Sequence, residues 1–143
     1  MKTTRPGADL AAVLEQLVRL TRQLATAGGL SPAGASALAR LSRDGPQRLT
    51  ELANAESVSQ PGMTQLVTRL ERDGLVRRTA STDDRRGVLV EMTNAGLALV
   101  NRRRAERAEA VSELLARLDR QDQAAITNAL PALARLVEAR TLD

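Results

Sequence analysis

The side chains whose types and spacing point to chemistry in this sequence lie between Ser59 and Arg86. Asp83 and Asp84 form the lone carboxylate cluster. Arg85 and Arg86 follow them directly, so the four read as paired charges rather than as an acid–base site. Arg69, Arg72, Arg77, Arg78, Arg85 and Arg86 fall within eighteen residues, and four acids share that span, so the bias is positive but local. Just ahead of these, Pro61, Gln65, Thr68 and Arg72, flanked by Thr64 and Arg69, share one face of a helix at about 100° per residue. That face carries nothing apolar larger than proline. It is either a solvated surface or one that offers hydrogen bonds to a polar partner.

Missing residue types narrow the chemistry further. The chain has no Cys, no His and no aromatic residue, which removes the usual ligands of zinc, haem and iron–sulfur clusters, thiol redox chemistry and the histidine general base. No P-loop, G-x-G-x-x-G or G-x-S-x-G motif occurs. An enzyme is therefore not expected, and neither is a cofactor. RNA or single-strand binding is disfavoured for want of aromatic stacking. The net charge of +4 does not by itself indicate a polyanionic partner, because the placement of charge matters more than the total. No apolar run reaches 18 residues and no signal-peptide pattern opens the chain, so a soluble cytoplasmic protein with no membrane contact is expected.

The elements that must position these side chains follow from periodicity and punctuation. At 143 residues the chain fits one domain. Residues 1 to 7 read as a loose arm. From Ala8, Leu10, Val13, Leu14, Leu17, Val18 and Leu24 recur at helical spacing, with Gly28 and Gly29 as the stop. Ser31-Pro32 starts a second helix that Gly45-Pro46 ends. Being rich in Ala, it is expected to lie buried under the first and fifth helices. Residues 47 to 49 suggest a short extended piece, and Thr50 is a candidate cap for a brief helix that buries Leu52 and Ala53. After a turn at residues 55 to 58, Ser59 caps the next helix. There Met63, Leu66, Val67 and Leu70 make one apolar stripe.

Gly74 ends that helix. Leu75 to Arg78 and Val88 to Met92 read as paired strands around a polar loop from Thr79 to Gly87. Thr93 or Asn94 caps a long helix, and Asp119 or Asp122 starts the last one. Pro131 is expected to kink or break that last helix.

The stretch from Leu49 to Gly96 resembles the MarR family of bacterial transcription regulators. LTELANAESVSQPGMTQLVTRLERDGLVRR is similar to the family's helix-turn-helix and first wing strand. The family's wing signature, Asp-x-Arg followed by Leu-Thr, is matched by Asp84-Arg85-Arg86 and Met92-Thr93. Outside this stretch the match lies in the order and length of elements. Three departures stand out: Gly62 occupies a place commonly held by Thr or Ser, Met92 replaces the signature leucine, and without Cys or aromatic residues the chain does not match those members that sense oxidants by thiol or stack aromatic ligands.

The resemblance implies a mainly α fold with a small β-wing, in which a winged helix-turn-helix (48–93) is flanked by long helices that form a homodimerisation region. It implies a single domain over 1–143, with dimerisation helices at 8–27 and 119–141 and a linking helix at 94–118. It further implies a dimeric regulator, most simply a repressor, of double-stranded DNA at a pseudo-palindromic operator. Ser59, Gln60, Pro61, Gly62, Thr64 and Gln65 would then meet bases and backbone in the major groove, and Thr68, Arg69 and Arg72 would lie further along the helix. Arg69 and Arg72 suit phosphates or salt bridges, and Ser59 has a competing role as a cap. Arg86 would enter the minor groove, with Arg85 as a second candidate and Asp84 orienting it. A small-molecule effector, best a small acid, and a ligand-free regulator are both compatible with the residues. A winged-helix protein-interaction module without DNA binding is the alternative function.

Overall fold

The computed structural model describes residues 5–24, 29–80 and 87–140. The elements in chain order are α1 (Pro6–Leu24), α2 (Pro32–Asp44), β1 (Gln47–Arg48), α3 (Leu49–Ala55), α4 (Gln60–Arg72), β2 (Val76–Ala80), β3 (Val88–Met92), α5 (Asn94–Ala116) and α6 (Arg120–Ala139). Helices thus dominate, and a three-stranded antiparallel sheet of order β1-β3-β2 is the only sheet among the described residues. Contacts gather the chain into two compact units, Met1–Arg107 and Ala108–Asp143.

The core of the first unit is wholly aliphatic. Ala37, Leu38 and Leu41 of α2, Leu52 and Ala53 of α3, and Met63, Leu66, Val67 and Leu70 of α4 meet Val76, Val90, Leu99 and Val100. The four α4 residues are those of the apolar stripe in the sequence. Burying a side chain of this size stabilises the fold by about 1.5–3 kcal/mol, so the stripe fixes which face of α4 is left to solvent. α2 packs on α4 and β3 and shares the core with Leu99 and Val100 of α5. α1 contributes no buried residue, so only part of the expected placement of α2 holds.

Caps define the joints. The Ser31 and Ser59 hydroxyl oxygens each accept an N–H three residues on, from Gly34 and Gly62, both at 3.1 Å. Gly74, at φ 77°, turns the chain out of α4 while the Leu75 N–H donates back to the Leu70 carbonyl at 2.9 Å. Only a residue without a Cβ adopts such a φ without strain. Thr93 caps α5 by accepting the Gly96 N–H at 3.1 Å. It also ties the neck of the wing shut: its hydroxyl donates to the Gly74 carbonyl at 2.6 Å and its N–H to the Leu75 carbonyl at 3.1 Å. Asp119 caps α6.

Several expectations change. α1 already includes Pro6 and Gly7, because proline is tolerated in a first turn. Thr50 is inside α3 rather than its cap, since β1 runs straight into the helix and Arg48 is the last extended residue. The Glu51 carboxylate then reaches back to the Arg48 N–H at 3.4 Å. Leu75 belongs to the helix exit, and β2 continues beyond Arg78, with Thr79 opposite Leu89 and Ala80 opposite Val88. α6 runs unbroken through Pro131. Proline there deprives the Thr127 carbonyl of its helical donor. Both residues are exposed, so water can serve instead.

Candidate nucleic-acid interface

With the stripe of α4 buried, Gln60, Pro61, Thr64, Gln65, Thr68, Arg69 and Arg72 are left exposed, and Gly62 is half-buried. The structure therefore brings nine of the expected residues, Ser59 included, onto one helix and its cap. Thr64, Gln65, Thr68, Arg69 and Arg72 line a shallow groove along the outer face. The Thr64 hydroxyl donates to the Gln60 carbonyl at 2.9 Å, and the Thr68 hydroxyl to the Thr64 carbonyl at 2.8 Å. Gly62 also has a local reason. A Cβ there would lie 3.0 Å from the Ser59 hydroxyl oxygen and 3.1 Å from the Val58 Cγ1, so a larger residue would crowd the cap. Asp84, Arg85 and Arg86, the expected wing contacts, lie outside the described residues, as does Asp83.

The turn that aims α4 is clamped to α2. The Glu56 carboxylate accepts the Ser36 hydroxyl at 2.6 Å and the Arg40 Nε–H at 2.6 Å, and Arg40 also donates to the Ala55 carbonyl at 3.3 Å. Beside it Ser57 takes a positive φ of 54°, the left-handed bend that reverses the chain between the two short helices. Partial burial pushes the Glu56 carboxyl up. The Ser36 hydrogen bond and the Arg40 guanidinium outweigh that and hold its pKa below the ordinary carboxylate range.

The wing is fixed to the other end of α4. Glu71 accepts the Arg78 backbone N–H at 2.9 Å and two guanidinium hydrogen bonds at 3.0 and 3.2 Å, the backbone bond first among the causes that lower its pKa. Arg77 stands opposite Glu91 in the strand register and pairs with it at 2.5 Å. Two of the six clustered arginines are thus engaged in holding the wing. The Arg77–Glu91 pair could have been read from the strand register. The Glu71 and Glu56 contacts join residues whose approach depends on the tertiary fold, and no sequence pattern marks them.

A cavity of about 290 Å³ opens in the first unit, its lining including the apolar Leu30 and Ala35 and the polar Thr21, Ser36, Arg103 and Arg107. The Arg107 Nε is buried without a hydrogen-bond partner among the described residues. Among the described residues no group of His, Cys, Asp or Glu could hold a metal ion, and no helix is long and apolar enough to cross a membrane.

Comparison with known proteins agrees with this geometry. A family model described as MarR family matches residues 30–88. An uncharacterised HTH-type transcriptional regulator of Mycobacterium bovis is 34% identical over 125 residues, covering 85% of this chain and 87% of that protein. The homoprotocatechuate degradative operon repressor of Escherichia coli is 31% identical over 93 residues, 65% of this chain and 63% of that one. Among solved structures, a transcriptional regulator from Thermotoga maritima superposes with a TM-score of 0.81 at 23% identity, covering 95% of this chain and 99% of that chain, a likeness of fold.

Proposed function

The chain belongs to the MarR family of winged helix-turn-helix transcription regulators, and from that premise we propose that it is a homodimeric repressor of a promoter carrying a pseudo-palindromic operator. The observation that carries the reading is the division of α4 into a buried aliphatic stripe and an outer face of Gln, Thr and Arg. Such a face, presented by the second helix of a helix-turn-helix, enters the major groove with its N-terminal residues at the base edges. Ser59, Gln60, Pro61, Gly62, Thr64 and Gln65 take that position, and Thr68, Arg69 and Arg72 follow along the helix. Arg86, oriented by Asp84 with Arg85 beside it, takes the minor groove. Narrow A·T tracts concentrate negative potential there.

One winged helix alone binds weakly, and the apolar faces of α1 and α6 support a second copy. Leu14 and Leu17 of α1, and Leu130 and Leu136 of α6, are all exposed, more aliphatic surface than a monomer ordinarily leaves to water. Two heads then read half-sites about 34 to 36 Å apart, and occupancy blocks transcription from the site. The domain plan that serves this is a single unit of function over 1–143, with dimerisation helices at 8–27 and 119–141 and a linking helix at 94–118. The chain works where the chromosome is, in the cytoplasm. The arginine-edged cavity supports a small carboxylic acid as effector. Such a ligand acts only if it prefers the spacing of the heads that does not fit DNA.

Selection of bound fragments from genomic DNA with the purified protein tests the reading. Recovery of a two-fold symmetric sequence, with affinity falling steeply as salt rises, is expected. Failure to enrich any fragment would replace the reading with a winged-helix module that binds other proteins.

A further inference from the structure

Within the outer face of α4, the hydrogen bonds of the two threonines decide what they can offer a base pair. A threonine hydroxyl carries one proton. In Thr64 that proton is given to the Gln60 carbonyl and in Thr68 to the Thr64 carbonyl. Donation to a base would require each residue to abandon a bond it already makes within the helix; while that bond stands the oxygen can only accept, from an adenine or cytosine amino group. Both residues are exposed, and the γ-methyl is the one apolar group each can offer. Pro61, one turn before Thr64, adds an exposed apolar ring, and Gly62 adds no side chain at all. Down the middle of a polar face, therefore, runs a narrow strip of carbon: the Pro61 ring, the Thr64 methyl and the Thr68 methyl. Gln65 stands beside it with both a donor and an acceptor.

Base-pair edges in the major groove are hydrogen-bonding groups with a single apolar exception, the C5-methyl of thymine. We propose that Thr64 and Thr68 are specificity-determining residues that read thymine methyl groups by apolar contact rather than by donating hydrogen bonds. This rests on α4 being the groove-entering helix. Four residues of helix advance about 6 Å and one base pair about 3.4 Å. The two methyls therefore match thymines about two base steps apart in each half-site. Gln65 beside them suits adenine, so the centre of each half-site is A·T.

The test uses the fragment recovered from genomic selection and replaces each thymine of a half-site, one at a time, by deoxyuridine. This removes only the C5-methyl and leaves every base-pair hydrogen bond in place. Affinity falls about three- to five-fold, the worth of one buried methyl group, at two positions about two steps apart, and is unchanged elsewhere. In parallel, Thr64→Ser keeps the hydroxyl and loses the methyl, whereas Thr64→Val does the reverse. On the thymine fragment the valine variant binds more tightly than the serine variant, and on the uracil fragment that difference disappears. The same holds for the Thr68 pair.

Two results overturn the proposal while leaving duplex binding intact: uracil tolerated at every position of the half-site, or serine variants that bind more tightly than valine variants. Absence of duplex binding by the parent protein overturns both the proposal and the assignment of α4 beneath it. The uracil substitutions need no protein variant, so they stand even where a substituted chain folds poorly.

Discussion

The carboxylate of Glu71, in the last turn of α4, holds both the backbone N–H and the guanidinium of Arg78 in β2, at 2.9 to 3.2 Å. One side chain thus ties the end of α4, the helix proposed to enter the major groove, to the strand that leads to the wing. Replacing Glu71 by alanine leaves the core untouched and releases that tie. The Glu71→Ala protein is expected to keep its circular dichroism spectrum and to lose DNA affinity several-fold, measured by fluorescence anisotropy of a labelled operator. Unchanged affinity would show that the wing finds its place without the tether.

Stability should depend on pH only in acid. The Glu56 and Glu71 carboxyls both have folded pKa values below the ordinary 4.5. A lowered folded pKa means that the stabilisation is fully present above the unfolded value and is lost as pH falls through the folded one. With no histidine in the chain, no side chain with an ordinary pKa near neutrality is present. The thermal midpoint is expected to be flat between about pH 5.5 and 7.5 and to drop below about pH 4.5. Glu56→Gln should lower the neutral plateau and shallow the acid limb; an unaltered acid limb would remove Glu56 from the account.

Gly96, in the first turn of α5, lies against the Leu75 backbone just ahead of β2. A Cβ there would overlap the Leu75 carbonyl oxygen and lie 2.8 Å from the Met92 Cγ. Helix propensity alone favours alanine by about 1 kcal/mol, but overpacking of this kind costs about 1–3 kcal/mol. Urea denaturation of Gly96→Ala should therefore show a net loss of stability, and a gain would mean that the two segments separate easily.

Arg86→Ala is expected to weaken operator binding at least tenfold, with the fold intact and a shallower dependence of affinity on salt, because one fewer cation replaces counterions. Equal affinity for variant and parent would end the wing assignment.

Aspartate in place of Leu17, which is 46% exposed, or of Leu130, 55% exposed, puts charge into the apolar faces assigned to the second copy. Either variant should sediment at half the parent mass and bind operator weakly. A variant that stays dimeric would place the interface elsewhere.

What the sequence disclosed was local. The α4 stripe of Met63, Leu66, Val67 and Leu70, the Ser59 cap and the stop at Gly74 depend on neighbours within one or two turns, so spacing alone reveals them. The same is true of β3, whose bounds agree residue for residue. The clamp from Ser36 and Arg40 to Glu56 and the tether from Glu71 to Arg78 arise only when separate elements meet, and individual charges carry no label for their partners. Thr50 misled because a serine or threonine before an apolar pair usually marks a cap, whereas here a strand occupies the preceding residues and starts the helix early. Pro131 does not break α6, which is continuous through it; the Thr127 carbonyl that loses its donor belongs to an exposed residue, so water can replace the missing bond.

The bonds from Thr93 to Gly74 and Leu75 make the wing a loop pinned at its neck. Opening of the strand pair is bounded, because the strands can part from Ala80 and Val88 inward without releasing either helix. Its local unfolding is thereby separated from the global transition. Backbone amides should exchange with solvent in graded order along the ladder, fastest at Ala80 and slowest beside Val76 and Met92. Since both ends of the neck stay in register throughout, the entropy of loop closure is met once, when the domain folds. It does not recur each time the strand pair frays and closes again.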